Sequence, residues 1–304
     1  MLRGIFYNQK PAICSIYESG KMCFDALSLS DKYILDYSDE PILKDENYDF
    51  VVCNYHHVTN NWIAQYIHKC KQPTFAIVTE IGHSENAIPY TPFIFNYYIV
   101  LDPTIIDNEY FFGFSRPLEN FVAKPKQNSD LIIGSFGMPT FGKNWNGIIE
   151  KVQDEFDEAI IRFNIPYASY VRSSEQAAHK IFYECSTLIR KPNIKLHVTH
   201  NYMSKQELIE WCSQNTINVF LYNRDQPGLC ATTDQAIIAD RPLLVSKNDT
   251  FRHILQYLHP YPQTIQEAID TTLPAVRQMQ KDWNAIQFAK KFENIVLGVC
   301  HEVQ

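Results

Sequence analysis

Residues 131–145 read Leu131-Ile132-Ile133-Gly134-Ser135-Phe136-Gly137-Met138-Pro139-Thr140-Phe141-Gly142-Lys143-Asn144-Trp145. A short apolar run breaks on glycines, passes a proline and enters Trp145–Phe156, where Ile148, Ile149 and Val152 recur at helical spacing. Buried strand, glycine turn and amphipathic helix in that order make up the repeating unit of a parallel α/β sheet. The rhythm continues toward the C-terminus. Strands are expected at 158–164, 194–198, 217–222 and 242–245, and helices at 174–190, 204–214 and 233–239. Ser204 followed three residues later by Glu207 forms a capping box at the start of one of these helices. Five strands alternating with helices predict a doubly wound sheet.

Toward the N-terminus the same alternation recurs. Apolar runs that end in polar residues predict strands at 49–55, 73–80 and 97–102, with a helix over Asn61–Lys71. Between the two series, Arg116–Asp130 carries Pro117, Pro125 and charges of both signs, and reads as a linker. The expected fold class is therefore α/β with two Rossmann-like doubly wound domains, 1–127 and 128–304.

Composition narrows the function. The formal net charge is −7 and no basic run exceeds two residues, which argues against nucleic-acid binding. No stretch of about 18 apolar residues would span a membrane, and the N-terminus lacks the apolar core of a signal peptide. The eight cysteines form no CxxC pair and no zinc-binding spacing. They read as small buried hydrophobes in a reducing cytoplasm.

In open α/β sheets ligands lie beyond the carboxyl ends of the strands. One such loop is Gly134, Ser135, Phe136 and Gly137 through Lys143. Glycines there let a backbone approach a phosphate, and Lys143 adds a positive charge. A second is Gly228, Leu229, Cys230 and Ala231 through Asp234, where a turn enters a helix and Asp234 is placed to accept from ribose hydroxyls. Scaffolding is the competing reading of both: a plain strand–turn–helix, and a carboxylate that only complements a helix dipole. A dinucleotide-dependent oxidoreductase fits worse. Gly-Ser-Phe-Gly does not extend to GxGxxG, and Arg162 and Asn164 stand where the next strand would need an acid.

Several separated segments then carry a resemblance: IIGSFGMPTFGKNW from Ile132, DEAIIRFNIPYASY from Asp157, LIEWCSQNTINVFLY from Leu208, GLCATTDQAIIADRPLLVSKNDTFRHI from Gly228 and WNAIQFAKKFENIV from Trp283. In this order they resemble the donor domain of bacterial and viral nucleotide-sugar glycosyltransferases of the GT-B type. The resemblance implies that Gly134, Ser135, Gly137 and Lys143 face the diphosphate and sugar, with Arg162 and Asn164 lining the same cleft. It further implies that the loop of His200, Asn201, Tyr202 and Met203 flanks the nucleobase, and that the final helix crosses back to the first domain. Retaining members carry a Glu–seven residues–Glu pattern. Here Asp225 is the counterpart of the first acid, but the position eight further on is Thr233, and Asp234 lies one beyond.

The implied activity is transfer of a sugar from a nucleoside diphosphate to a glycan, lipid or small-molecule hydroxyl, without a bound metal or other cofactor. A non-catalytic nucleotide- or sugar-binding module is the alternative. The acceptor hydroxyl must lose a proton, so the first domain should supply a base. His56, His57, Glu80 and His83 are the candidates, from segments that each follow an expected strand or open a helix. A metal site built from these histidines is disfavoured, because adjacent side chains at the end of a strand do not converge on one ion.

Overall fold

The computed structural model describes residues 1–8, 15–40, 47–56, 63, 66–79, 94–125, 129–140, 142–167, 173–223 and 228–302. The chain divides into two compact units. The first comprises Met1–Asn120, Gln226–Leu229 and Asp282–Gln304, the second Phe121–Asp225 and Cys230–Lys281.

The first unit is built on six strands: β1 (Leu2–Tyr7), β2 (Tyr33–Ser38), β3 (Phe50–Tyr55), β4 (Thr74–Val78), β5 (Tyr97–Val100) and β6 (Phe111–Gly113). They lie in the order β2-β1-β3-β4-β5-β6, every neighbouring pair parallel. All residues of β3 and β4 are buried, as expected of central strands covered on both faces. One face carries Phe6, Phe50, Phe75 and Ile99, packed with Cys23 and Leu27 of α1 (Ser15–Leu27). The other carries Tyr7, Val51, Cys53, Ala76 and Tyr98.

A helix from the far end of the chain, Ala285–Glu302, completes the first of these faces with Phe288, Phe292, Val296 and Cys300. The Phe292 ring lies against Tyr33, Phe50 and Phe75, with centroids 5.3–6.1 Å away. Polar contacts fix its register: Lys291 Nζ pairs with Asp107 at 2.8 Å and donates to the Gly113 carbonyl, while Ser30 Oγ donates to Glu293 at 2.6 Å. Burying a phenylalanine of this kind contributes about 2–3 kcal/mol.

The expected helix over Asn61–Lys71 is a correction. Asn61, Trp62, Ala64 and Gln65 lie outside the described residues; from Tyr66 on, the chain forms a turn and a 3-10 turn, Ile67–Lys69, in place of α-helix. Cys70 is already extended, and Pro73 then holds the backbone extended into β4.

The second unit carries β7 (Ile132–Phe136), β8 (Ala159–Asn164), β9 (Ile194–Thr199), β10 (Ile217–Phe220) and β11 (Leu243–Val245), all parallel, in the order β11-β10-β7-β8-β9. The helices between them are α2 (Trp145–Glu155), α3 (Ser174–Thr187), α4 (Lys205–Ser213) and α5 (Thr233–Ile238). They are followed by α6 (Arg252–Leu255), α7 (Ile265–Thr271) and α8 (Leu273–Asp282), so the returning helix Ala285–Glu302 is α9. Ile133, Ile161, Phe163, Ile217 and Val219 form the core on one sheet face with Ile148, Ile149 and Val152 of α2 and Ala178 of α3. Both units are thus doubly wound α/β sheets.

Candidate functional site

From β7 the chain winds outward through β8 and β9, then returns to β10 on the other side of β7. The carboxyl ends of β7 and β10 therefore bound the topological switch point of this sheet, the place where open α/β sheets bind their ligands. The loops leaving these two strands hold the candidate site.

Beyond β7, Gly137 takes φ 143° and Gly142 φ 81°, values that L-residues with side chains rarely adopt. Asn144 follows at φ 55° and caps α2, its side chain accepting from the Gly147 N–H at 3.2 Å. Lys143 lies between them and is only 7% exposed. Its ammonium donates to the Tyr222 hydroxyl at 2.5 Å and lies 4.4 Å from that ring's centroid. A Cβ on Gly137 would sit 2.8 Å from the Lys143 Nζ. Gly137 is therefore needed both for its backbone angle and for the space that the ammonium occupies.

Tyr222, two residues past β10, ties the site together. Its hydroxyl also accepts from Cys230 Sγ at 3.6 Å, and Ser246 Oγ donates to its carbonyl at 2.7 Å. The neighbouring Asn223 N–H donates to the Gly142 carbonyl at 3.0 Å, which staples the glycine loop to the end of β10. The sequence pattern marks Tyr222 only as the end of a strand. An ammonium held this deep loses much of its hydration and needs polar partners. At the ends of these strands it supplies a localised positive charge suited to a phosphate.

The other residues expected here are placed in two groups. Gly137, Lys143 and Cys230 meet around Tyr222, while Asp234 is buried in the first turn of α5 with Ala231 exposed just before it. Gly228 has φ 96° and, with Leu229, belongs to the first unit.

The second group is turned elsewhere. Gly134 lies inside β7, where a Cβ would overlap the amide of Asn215. Asn215 Oδ1 accepts from Arg162 Nη1 at 2.9 Å, and its Nδ2 donates to Asn218 at 2.8 Å. Arg162 stacks over the Trp211 ring of α4 at 4.7 Å, and burial lowers its pKa from the usual arginine value. Phe136 packs edge-on against Trp211 and Phe220. Ser135 is buried within the strand. These placements correct the expectation that Gly134, Phe136 and Arg162 line the cleft: their face of the sheet is covered by α4.

Asn164 does end β8, but its amide is engaged, donating to the Asn201 carbonyl at 3.1 Å and accepting from Thr199 Oγ1 at 2.9 Å. Tyr202 is exposed and Met203 half-buried beyond β9. Beside them Tyr167 stacks on His200, rings 4.7 Å apart, and its hydroxyl lies 3.2 Å from His179 Nε2. In the first unit His56 follows the carboxyl end of β3. His57, Glu80, His83 and Asp225 lie outside the described residues. Among the described residues, no group of three or more His, Cys, Asp or Glu side chains could hold a metal, and no helix is long and apolar enough to cross a membrane.

No protein-family model matches the chain, and no curated protein matches it in sequence. Solved structures do match in fold. Anabaena HepE in complex with UDP-glucose superposes with a TM-score of 0.65 at 8% identity, covering 98% of this chain and 100% of that one. The E. coli trehalose-6-phosphate protein bound with UDP-2-fluoro glucose gives 0.63 at 9% identity, covering 97% and 98%. A glycosyltransferase from Rickettsia africae gives 0.62 at 8% identity, covering 98% of each chain. Matches spanning both sheets at such low identity establish a GT-B glycosyltransferase fold.

Proposed function

We propose that this chain is a glycosyltransferase that moves a sugar from a nucleoside diphosphate to a hydroxyl acceptor. The observation that carries the reading is the buried Lys143 ammonium, held by Tyr222 against the backbone of Gly137 at the switch point of the second sheet. Fold alone does not assign chemistry. What supports this activity is a fixed cation in the crevice where such sheets bind ligands, together with neighbours of the same fold that hold UDP or UDP-glucose. As the bond from sugar to diphosphate breaks, negative charge grows on the leaving phosphate. A positioned ammonium stabilises that charge without having to reorganise.

The Lys143 charge takes the part that a divalent cation would otherwise play, so we read the reaction as metal-independent and the transferred group as a hexose or pentose. His56, following β3, is the described candidate for the base that accepts the proton of the acceptor hydroxyl. Every described cysteine is a free thiol, in keeping with a cytoplasmic location.

The test is calorimetric titration with UDP, GDP and ADP, followed by incubation with the corresponding sugar nucleotides and EDTA. Saturable binding of one diphosphate and release of that diphosphate from its sugar nucleotide are expected. Binding with no release, whatever the acceptor, would leave a binding module. Neither binding nor release would refute the reading.

A further inference from the structure

The rim of the first sheet opposite the carboxyl ends of its strands holds a cavity of about 360 Å³ lined by Phe95, Asn96, Tyr97, Tyr98 and Tyr110. It lies where β5 and β6 begin. Tyr98 is in register with Phe111, so Tyr97 and Tyr110 are cross-strand neighbours on one face. Tyr97 is held from behind, stacked on Phe75 at 5.1 Å with Phe112 at 6.4 Å. Tyr110 is 47% exposed, and the neighbouring Glu109 carboxylate raises its pKa.

At the tip, the side-chain oxygen of Asn96 accepts from both the N–H and the hydroxyl of Thr74, at 2.9 and 2.8 Å. Those two bonds fix the orientation of the amide. Its Nδ2 donates to no described residue, although Asn96 is exposed.

We propose that this rim is a second binding site, for a neutral pyranose unit of a saccharide chain. Three features select that chemistry. Two adjacent tyrosine rings, one of them anchored, offer an apolar platform to the C–H face of a sugar ring. The immobilised Asn96 Nδ2 donates to a ring hydroxyl, and the Glu109–Tyr110 pair accepts from another. No basic side chain is among the described lining residues, and Glu109 repels anions, so a nucleotide or phosphorylated ligand is selected against. The cavity falls in the size range of small-ligand sites.

The inference goes beyond the donor chemistry of the second sheet. Its ligand can be a remote part of the acceptor chain or an independent saccharide.

Saturation-transfer NMR of the full chain with maltohexaose, cellohexaose and chitohexaose tests the proposal, with UDP affinity measured in parallel by calorimetry. At least one oligosaccharide is expected to bind the wild-type chain. Tyr110→Ala should weaken it about three- to tenfold and leave UDP affinity and thermal midpoint unchanged. Asn96→Ala should weaken it by a similar factor and leave UDP affinity unchanged, while lowering the midpoint because the buried Thr74 loses its acceptor. Tyr110→Phe, which keeps the ring, should retain more affinity than Tyr110→Ala.

Absence of binding by all three oligosaccharides, or binding that neither substitution changes, would overturn the site. If the substitutions raise the KM for a saccharide acceptor in transfer assays, the ligand is the acceptor chain. If transfer is indifferent to these substitutions while binding falls, it is an independent saccharide. Because UDP binding is read separately, failure of the donor reading would not be mistaken for failure of this one.

Discussion

Gly134→Ala separates two roles that a glycine in this loop could play. The added Cβ would overlap the amide of Asn215, whose Oδ1 lies 3.0 Å from the Cβ position and whose nitrogen lies closer still. Asn215 is fully buried and short, so it cannot swing aside without losing its bonds to Arg162 and Asn218. Losing a buried hydrogen bond to a charged group costs about 1.5–3 kcal/mol and losing a neutral one about 1 kcal/mol. Overpacking adds about 1–3 kcal/mol, and the reduced freedom of the unfolded chain returns about 0.4–1 kcal/mol. The net is a destabilisation of roughly 3–5 kcal/mol in the second unit. At about 2–4 °C per kcal/mol for a unit of this size, the thermal midpoint should fall by roughly 6–20 °C.

Calorimetric melting with and without UDP is the assay. The double variant Gly134→Ala with Asn215→Gly should recover part of the loss, because the overlap is removed even though the polar network is not. If Gly134→Ala melts like the wild type but no longer binds UDP, the packing argument is wrong and the glycine belongs to the ligand.

Other outcomes follow from the same geometry. Lys143→Met should leave the fold intact by circular dichroism but lower UDP affinity about ten- to a hundredfold, the worth of one charge-assisted contact; unchanged affinity in titration would remove the lysine from the site. Ser204→Ala breaks the α4 capping box, in which Ser204 Oγ accepts from the Glu207 N–H and Glu207 accepts from the Ser204 N–H. It should cost about 1 kcal/mol in urea unfolding. Burial pushes the thiols of Cys53 and Cys212 well above the usual value and that of Cys185 up to about 12. The unfolded chain releases these protons first, so stability should fall as pH rises above about 9, by up to about 1.4 kcal/mol per pH unit for each fully buried thiol. Iodoacetamide at pH 8 should leave Cys53 and Cys212 unlabelled until denaturant is added, and rapid labelling of the folded chain would contradict that.

The central strands were legible because burial on both faces makes them continuous apolar runs: β3, β4, β7 and β8 fall within two residues of their expected bounds. β1 was not, since Arg3 and Gly4 interrupt its run, and Arg3 pairs at the surface with Asp36 of β2. β2 is half-buried at the sheet edge and β6 has three residues, too few to show a period. The site was legible where function needs unusual chemistry, a cation beside glycines at the ends of strands. It was misread at Gly134, Phe136 and Arg162. Strand alternation shows that these residues share a face, but only the packing of α4 shows that the face is covered.

The position of α9 has a consequence for how the chain comes to fold as it is made. The first sheet is synthesised early, yet the face bearing Phe50 and Phe75, partly covered by α1, lacks the rest of its cover until residues 285–302 have left the ribosome. The second sheet and the helices between its strands are complete before that point. The unit translated second is therefore free to finish first, while the N-terminal one waits with an aromatic surface open. That interval is when a chaperone would be most needed, and slowing translation ahead of Ala285 would lengthen it.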